Sequence, residues 1–366
     1  MRLRRLGAIL VATTVTLAAC GDGELPAAAP PPAGPSSLRV MTQNLYLGGD
    51  LFLFLAPGAS LAETMDTVWA SVQATDFEAR ARVLADGIQA ADPDVVGLQE
   101  VSLWRTQTPG DHLLAPNATN VAYDFLEILL RELASRGLSY RTVGTVTNGD
   151  VELPGTTGTD YRLTDRDAII AKTSLPIASA GSGTYPHVAT LQLPSPLPGA
   201  PPIQTPIPRG WVAADLRAGG RTIRLFATHL EALSADVATD QVPDLLAVAS
   251  PTRQPTLVVG DMNLPPGSPG YDRFVAPETG LRDTWTEAQG SDPGLTCCWN
   301  PDLRGGAYST RIDLVFATEP LHATRATRVN DSARTPGGLA PSDHAGVVVT
   351  IDPSGAASTT VAAAGR

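Results

Sequence analysis

Within residues 256–263, TLVVGDMN, three apolar residues give way at Gly260 to a carboxylate at Asp261 and an amide at Asn263. A short apolar run suits a strand buried on both faces. Two polar residues one position apart point to the same side while the chain stays extended, with Met262 turned the other way. Carboxylate and amide would then share a cleft. A strand end followed by a polar turn explains the same letters, because Asp and Asn are common turn residues. Other stretches end alike: VMTQN closes on Asn44, VVGLQE on Glu100 and RLFATH on His229, Asp343 and His344 stand just before GVVVTI, and Asp313 lies inside RIDLVFAT. Carboxylates, amides and imidazoles are groups that hold a hard divalent cation and carry protons. Six polar tips on apolar runs imply one site.

The elements that must position these tips can be read from period and punctuation. Strands are expected over residues 38–44, 95–100, 140–146, 167–171, 211–216, 222–228, 311–317 and 346–351. Gly219 and Gly220 mark a hairpin between 211–216 and 222–228. Residues 61–90 read as two helical pieces, the second opened by a capping box from Thr75 to Glu78, and Pro93 breaks the pattern. A helix over 123–136 stops at Gly137, and another at 245–249 precedes the central strand. Trp104, Arg105 and His112 are assigned to a loop, a Gly- and Thr-rich segment joins 140–146 to 167–171, and the Pro-rich residues 192–209 read as an exposed loop. Strands joined partly by helices and partly by hairpins predict an α+β fold of two mixed sheets packed face to face with helices outside, as one domain over residues 38–352.

The termini read differently. Arg2, Arg4 and Arg5 precede an apolar stretch of 13 residues, 7–19, too short for an ordinary membrane span, and residues 1–19 are expected to be a targeting signal. Its end, Leu17-Ala18-Ala19-Cys20, resembles the lipobox of bacterial lipoproteins, which implies lipidation of Cys20, a membrane anchor and an extracytoplasmic location. Residues 20–37 suit a flexible Pro/Ala-rich tether, and residues 353–366 a disordered tail. Cys297 and Cys298 are adjacent, so a bond between them departs from ordinary disulfide geometry. A buried pair in a structural loop is the plainer expectation, and no companion ligand stands close in sequence. With a net charge of −11 the chain offers no electrostatic footprint for tight nucleic-acid binding, while its carboxylates suit a divalent cation.

Taken in order, QN at Asn44, LQE at Glu100, THL at His229, GDMN at Asp261 and Asn263, RIDLV at Asp313 and SDH at Asp343 and His344 resemble the endonuclease/exonuclease/phosphatase superfamily, the deoxyribonuclease I-like fold. The resemblance spans residues 38–352 and implies a four-layer αββα sandwich that hydrolyses phosphoesters with Mg²⁺, or Mn²⁺. It implies Glu100 as metal ligand, Asn44 as ligand or neighbour, and Asp343 at a second metal position or tuning the first. Asp313 and His344 would pair, with the imidazole acting as base or holding phosphate. Asp261 would orient or deprotonate water, Asn263 would bind a phosphate oxygen, and His229 would assist the leaving group or grip the phosphate. His112, His187 and His322 are read as bystanders.

Two stretches depart from the family pattern. In residues 161–170, YRLTDRDAII, Asp167 replaces a glycine, and Arg162 and Arg166 are phosphate binders or, more simply, a solvated charge run. The insertion after Asp50 carries FLFL, Phe52 to Leu55, for which core packing is expected over lipid contact. Taken together, a monomeric, lipid-anchored phosphodiesterase with a small or lipid substrate is expected, with a nuclease of the same fold and a non-catalytic surface-binding lipoprotein as the alternatives.

Overall fold

The structure, a computed structural model, describes residues 34–195, 200–251 and 253–355; the targeting segment, Cys20 and most of the tether and tail lie outside the described residues. In chain order the elements begin with β1 (Leu38–Asn44), a 3-10 turn (Leu51–Leu55), α1 (Leu61–Ala74), α2 (Phe77–Ala91), β2 (Val95–Gln99), β3 (Leu103–Gln107), β4 (Asn120–Asp124) and α3 (Phe125–Ser135). Then come β5 (Tyr140–Pro154), β6 (Asp160–Lys172), β7 (Ile177–Thr184), β8 (Ala189–Leu193), β9 (Ile203–Ile207), β10 (Gly210–Ala218), β11 (Arg221–His229), α4 (Ala235–Ala249), β12 (Thr256–Asp261) and α5 (Pro269–Phe274). The chain closes with β13 (Leu281–Asp283), α6 (Thr284–Gln289), β14 (Cys297–Trp299), β15 (Gly306–Thr310), β16 (Asp313–Thr318), β17 (His322–Val329) and β18 (Gly346–Asp352).

Continuous apolar strands need cover on both faces, and alternation along them defines four layers. In β12, Leu257 and Val259 enter the core between the sheets, while Val258 packs outward with Val242 and Leu245 of α4. In β6, Ile169 and Ala171 face the same inner core, and Ala168 and Ile170 face α1, α2 and α3. One mixed sheet runs β17-β18-β1-β2-β6-β3-β4, with β5 also paired to β6; the other runs β13-β16-β12-β11-β10-β7. The fold is the expected α+β sandwich of two mixed sheets flanked by helices. Gly97 of β2 lies close under the facing sheet: a Cβ there would sit 2.7 Å from Val259 Cγ2 and 3.0 Å from Ala227 Cβ. A side chain at 97 would wedge the sheets apart.

Several local expectations are corrected. Asp76, not Thr75, caps α2, accepting from Ala79 N, while Thr75 Oγ1 donates to Gly48 O. Trp104 and Arg105 lie in β3. The segment expected as two short strands and a linker is one long hairpin, β5–β6, kept in register past bulges at Thr142/Gly144 and Thr147/Gly149. Residues 192–209, expected as an exposed loop, contain the end of β8 and all of β9, which pair as a ribbon. Of FLFL, only Phe54 is buried; Phe52, Leu53 and Leu55 are exposed.

Candidate active site

Six strand ends meet at one edge of the sandwich. Asn44 closes β1, and Glu100 follows the end of β2, its parallel neighbour. In the second sheet, His229, Asp261 and Asp313 sit side by side across β11, β12 and β16. His344 stands just before β18, which pairs with β1. Gly260 makes the turn possible: its φ of 151° disfavours any side chain, and a Cβ would overlap the Thr228 carbonyl oxygen. Glu100, Tyr46 and Asn263 also adopt left-handed φ values of 54°, 57° and 51°. Such backbone costs about 1–3 kcal/mol per residue and clusters where function demands it.

The side chains converge on Asp261 Oδ2, which accepts from Asn44 Nδ2 at 3.1 Å and lies 3.5 Å from His229 Nε2 and 3.8 Å from His344 Nε2. Asn44 Nδ2 also reaches Glu100 Oε1 at 3.0 Å, and its oxygen accepts from Tyr46 N. Asn44 therefore sets two carboxylates with its NH₂ group. His344 Nδ1 is 2.8 Å from Asp313 Oδ2, and Asp343 Oδ1 is 4.0 Å from His344 Nε2. Asn263 reaches the site through its left-handed turn rather than by extending the strand: Nδ2 donates to Leu230 O and lies 3.2 Å from His229 Nε2. All eight residues singled out in the sequence, Cys20 aside, are brought together.

The two imidazoles are driven apart in charge. Burial alone would push His344 down, but Asp313, Asp343 and Asp261 hold it well above the usual histidine range. His229 is pushed well below that range by burial, then by Arg209 and His344. Arg209 Nη1 lies 3.2 Å from His229 Nδ1 and can only donate, so Nδ1 accepts and the neutral ring carries its proton on Nε2, facing Asp261. Asp261 itself is pushed up to about 7, by burial and then by Asp313, against the pull of His344. Burial raises Glu100 and Asp343 as well, and Asp343 pushes Glu100 further.

Sequence reasoning missed Arg209, Glu231, Asp165 and Arg80, and gave Asp167, which is wholly buried, no role. Arg209, at the end of the segment read as exposed, is 7% exposed and sits between His229, Glu231 and Asp165. Glu231 directly follows the THL motif and was legible as its extension. Arg80 is wholly buried and donates to the carbonyls of Leu45, Tyr46, Thr75 and Pro341, tying the loop after Asn44 to the approach to Asp343 and His344. Arg162 and Arg166 are not a solvated run: they are largely buried and pair with Asp150 and Asp124 at 2.6 and 2.7 Å. Cys297 and Cys298 are joined as a disulfide, Cys297 buried and Cys298 exposed. The fold supplies a neighbour that sequence spacing concealed, since Cys298 Sγ lies 3.9 Å from His344 Nε2. His112, His187 and His322 each face a carboxylate, Asp160, Asp244 and Glu287.

The donor set fits a hard divalent cation. Four buried or half-buried carboxylates, Glu100, Asp261, Asp313 and Asp343, gather at this edge, and Asp313 Oδ1 is buried without a partner. Hard oxygen donors of this kind suit Mg²⁺, which takes one or two protein carboxylates and keeps several waters.

The chain belongs to the Endonuclease/Exonuclease/phosphatase family, whose sequence profile matches residues 41–344. Enzymes of this family hydrolyse phosphoester bonds and generally use divalent metals. Among solved structures, a Bacteroides thetaiotaomicron family protein is similar at a TM-score of 0.57 and 19% identity, covering 87% of this chain and 98% of that one. The mannosyl-6-phosphatase of the same organism gives 0.55 and 18%, over 86% and 99%. D. rerio TDP2 complexed with single strand DNA product gives 0.51 and 17%, also over 86% and 99%. At these identities the likeness is one of fold. No curated protein matches the sequence.

Proposed function

We propose that this chain is a divalent-metal-dependent phosphodiesterase acting on a small or lipid phosphodiester. The observation that carries the reading is the meeting of Asn44, His229 and His344 at Asp261 Oδ2, beside Glu100. Glu100 and Asp343 would hold Mg²⁺ or Mn²⁺, which when bound places positive charge against the non-bridging phosphate oxygens. Asn44 fixes Glu100 and Asp261 relative to one another. Asp261 takes a proton from the attacking water, whose oxygen bonds to phosphorus as the P–O bond to the leaving group breaks. His229, neutral, donates a hydrogen bond from its Nε2–H to the departing oxygen, which takes its proton from solvent. His344, oriented and held charged by Asp313, steadies negative charge on the phosphate, and the Asn263 NH₂ group offers a further donor.

Residues 17–20 support an extracytoplasmic protein anchored through a lipidated Cys20, which the mass of the mature N-terminal peptide tests. For the activity, the full chain is assayed on DNA, RNA, sphingomyelin, phosphatidylinositol phosphates and a generic phosphodiester, with Mg²⁺ and with chelator. Metal-dependent turnover of a small or lipid diester is the expected result. Preference for DNA or RNA would make it a nuclease. No turnover by folded protein with Mg²⁺ or Mn²⁺ would leave a binding lipoprotein.

A further inference from the structure

The edge described above opens into a cavity of about 140 Å³ that the hydrolytic residues do not fill. Its floor is polar and shared with the site: Glu100, Arg209, His229 and Asp165 all line it. Its walls are apolar, formed by Leu51, Phe54, Leu153, Leu163, Leu191 and Ile207. These walls come from the 3-10 turn after β1, the far half of the β5–β6 hairpin and the β8–β9 ribbon, which lies against the 3-10 turn. We infer that this cavity is a substrate subsite that receives a compact apolar group, one aromatic ring or an alkyl chain of about six carbons, attached to the phosphate.

Size and lining argue for that occupant. An apolar cavity of about 150 Å³ accommodates benzene, so this one fits a ring or short chain. A sugar or nucleoside would turn several hydroxyls toward Leu153, Leu163 and Leu191, and each buried without a partner costs about 1–3 kcal/mol. Near the floor the lining changes. Asn148 Oδ1 and Nδ2 and Asp165 Oδ1 are buried without hydrogen-bond partners, so polar atoms of the ligand are accommodated beside the phosphate, below the apolar body. Asp165 is pushed up to about 7 by burial, so the floor on this side is not a full second anion at neutral pH.

The inference deepens the phosphodiesterase reading and rests on it for turnover, so the test reads both catalysis and binding. Symmetric diesters from dimethyl through dihexyl and diphenyl phosphate are offered to the full chain with Mg²⁺. In parallel, methyl-, hexyl- and phenylphosphonate are titrated by calorimetry. Expected is a rise in kcat/KM of about fourfold per methylene that levels near six carbons, and tighter binding of hexyl- and phenyl- than of methylphosphonate.

Gly149 lines the cavity, and a Cβ there would meet nothing within 4 Å. Gly149→Leu, whose Cβ meets no neighbour, should occupy part of this space and lower the hexyl-to-methyl ratio about tenfold, a ratio from which any general loss cancels. Leu163→Ala, which enlarges the cavity, should move the optimum to longer chains. Equal kcat/KM across the series, or equal binding of the three phosphonates, overturns the subsite. No turnover of any ester with chain-length-dependent phosphonate binding, lost in Gly149→Leu, would keep the subsite and reject the hydrolytic reading.

Discussion

Asn44, Glu100, His229, Asp261, Asp313 and His344 sit at or beside the ends of regular strands, whereas the cavity next to them is walled by a 3-10 turn, a hairpin beyond its bulges and a ribbon outside both sheets. Ladder hydrogen bonds fix the first set: His229 lies opposite Asp261 and Asp261 opposite Asp313 in a register that cannot slip without turning every neighbour over. The walls are paired too, Leu163 with Val151 and Trp104 and Leu191 with Thr205, but in a hairpin extension reached past bulges and in a ribbon joined to neither sheet. Chemistry and selectivity are thus carried by differently connected parts, and substitutions in the two should fail in different ways.

The largest effect should come from the strand-end residues. Glu100→Ala or His344→Ala is expected to lower kcat/KM by about 10²–10⁴-fold with an unchanged circular dichroism spectrum; retention of turnover in both would remove the strand-end residues from the reaction. Arg80 tests the support beneath these residues. Arg80→Met leaves four carbonyls without their donor, and at about 1–3 kcal/mol for each unsatisfied buried group the loss should reach about 3 kcal/mol or more. For a domain of this size that is a fall in Tm of roughly 4–5 °C, read by calorimetry. The wall variant Gly149→Leu should change selectivity between esters about tenfold, a smaller effect of a different kind. Smallest of all is Arg162→Gln: it loses a partly exposed bidentate pairing with Asp150 and a hydrogen bond to Ala118 O, so stability should fall by about 1–2 kcal/mol and kcat/KM should hold steady. A large loss of turnover there would place Arg162 in phosphate binding after all.

The same division explains what could be read in the letters. Each strand-end residue of the site ends or interrupts an apolar run, a contrast visible over a few positions, and the alternation in 256–259 and 167–171 is enough to place two buried sheets. The walls are punctuated by residues that mimic loops. Gly144 and Gly149 sit at bulges through which the ladder continues, so strands twice the expected length look like two strands and a linker. Prolines at 201, 202, 206 and 208 disguise the ribbon, which pairs only with itself and leaves them on edges. Arg209 is hidden for the same reason, since it follows that run directly. Arg80 looks like one more helix-surface cation, and only the tertiary fold brings four carbonyls to it. At the start of α2, Thr75 and Asp76 are both good caps; the fold uses the Thr75 hydroxyl for Gly48, and Asp76 takes the helix.

Asn44 belongs to one sheet and Asp261 to the other, and the hydrogen bond between them crosses the sandwich. Neither sheet alone contains a complete site. A partly folded chain, with either sheet formed first, is inert, and activity should appear only with the last cooperative step of assembly. Turnover during refolding would then follow the native population itself, lagging any signal that reports secondary structure, and the enzyme would act as its own gauge of finished folding.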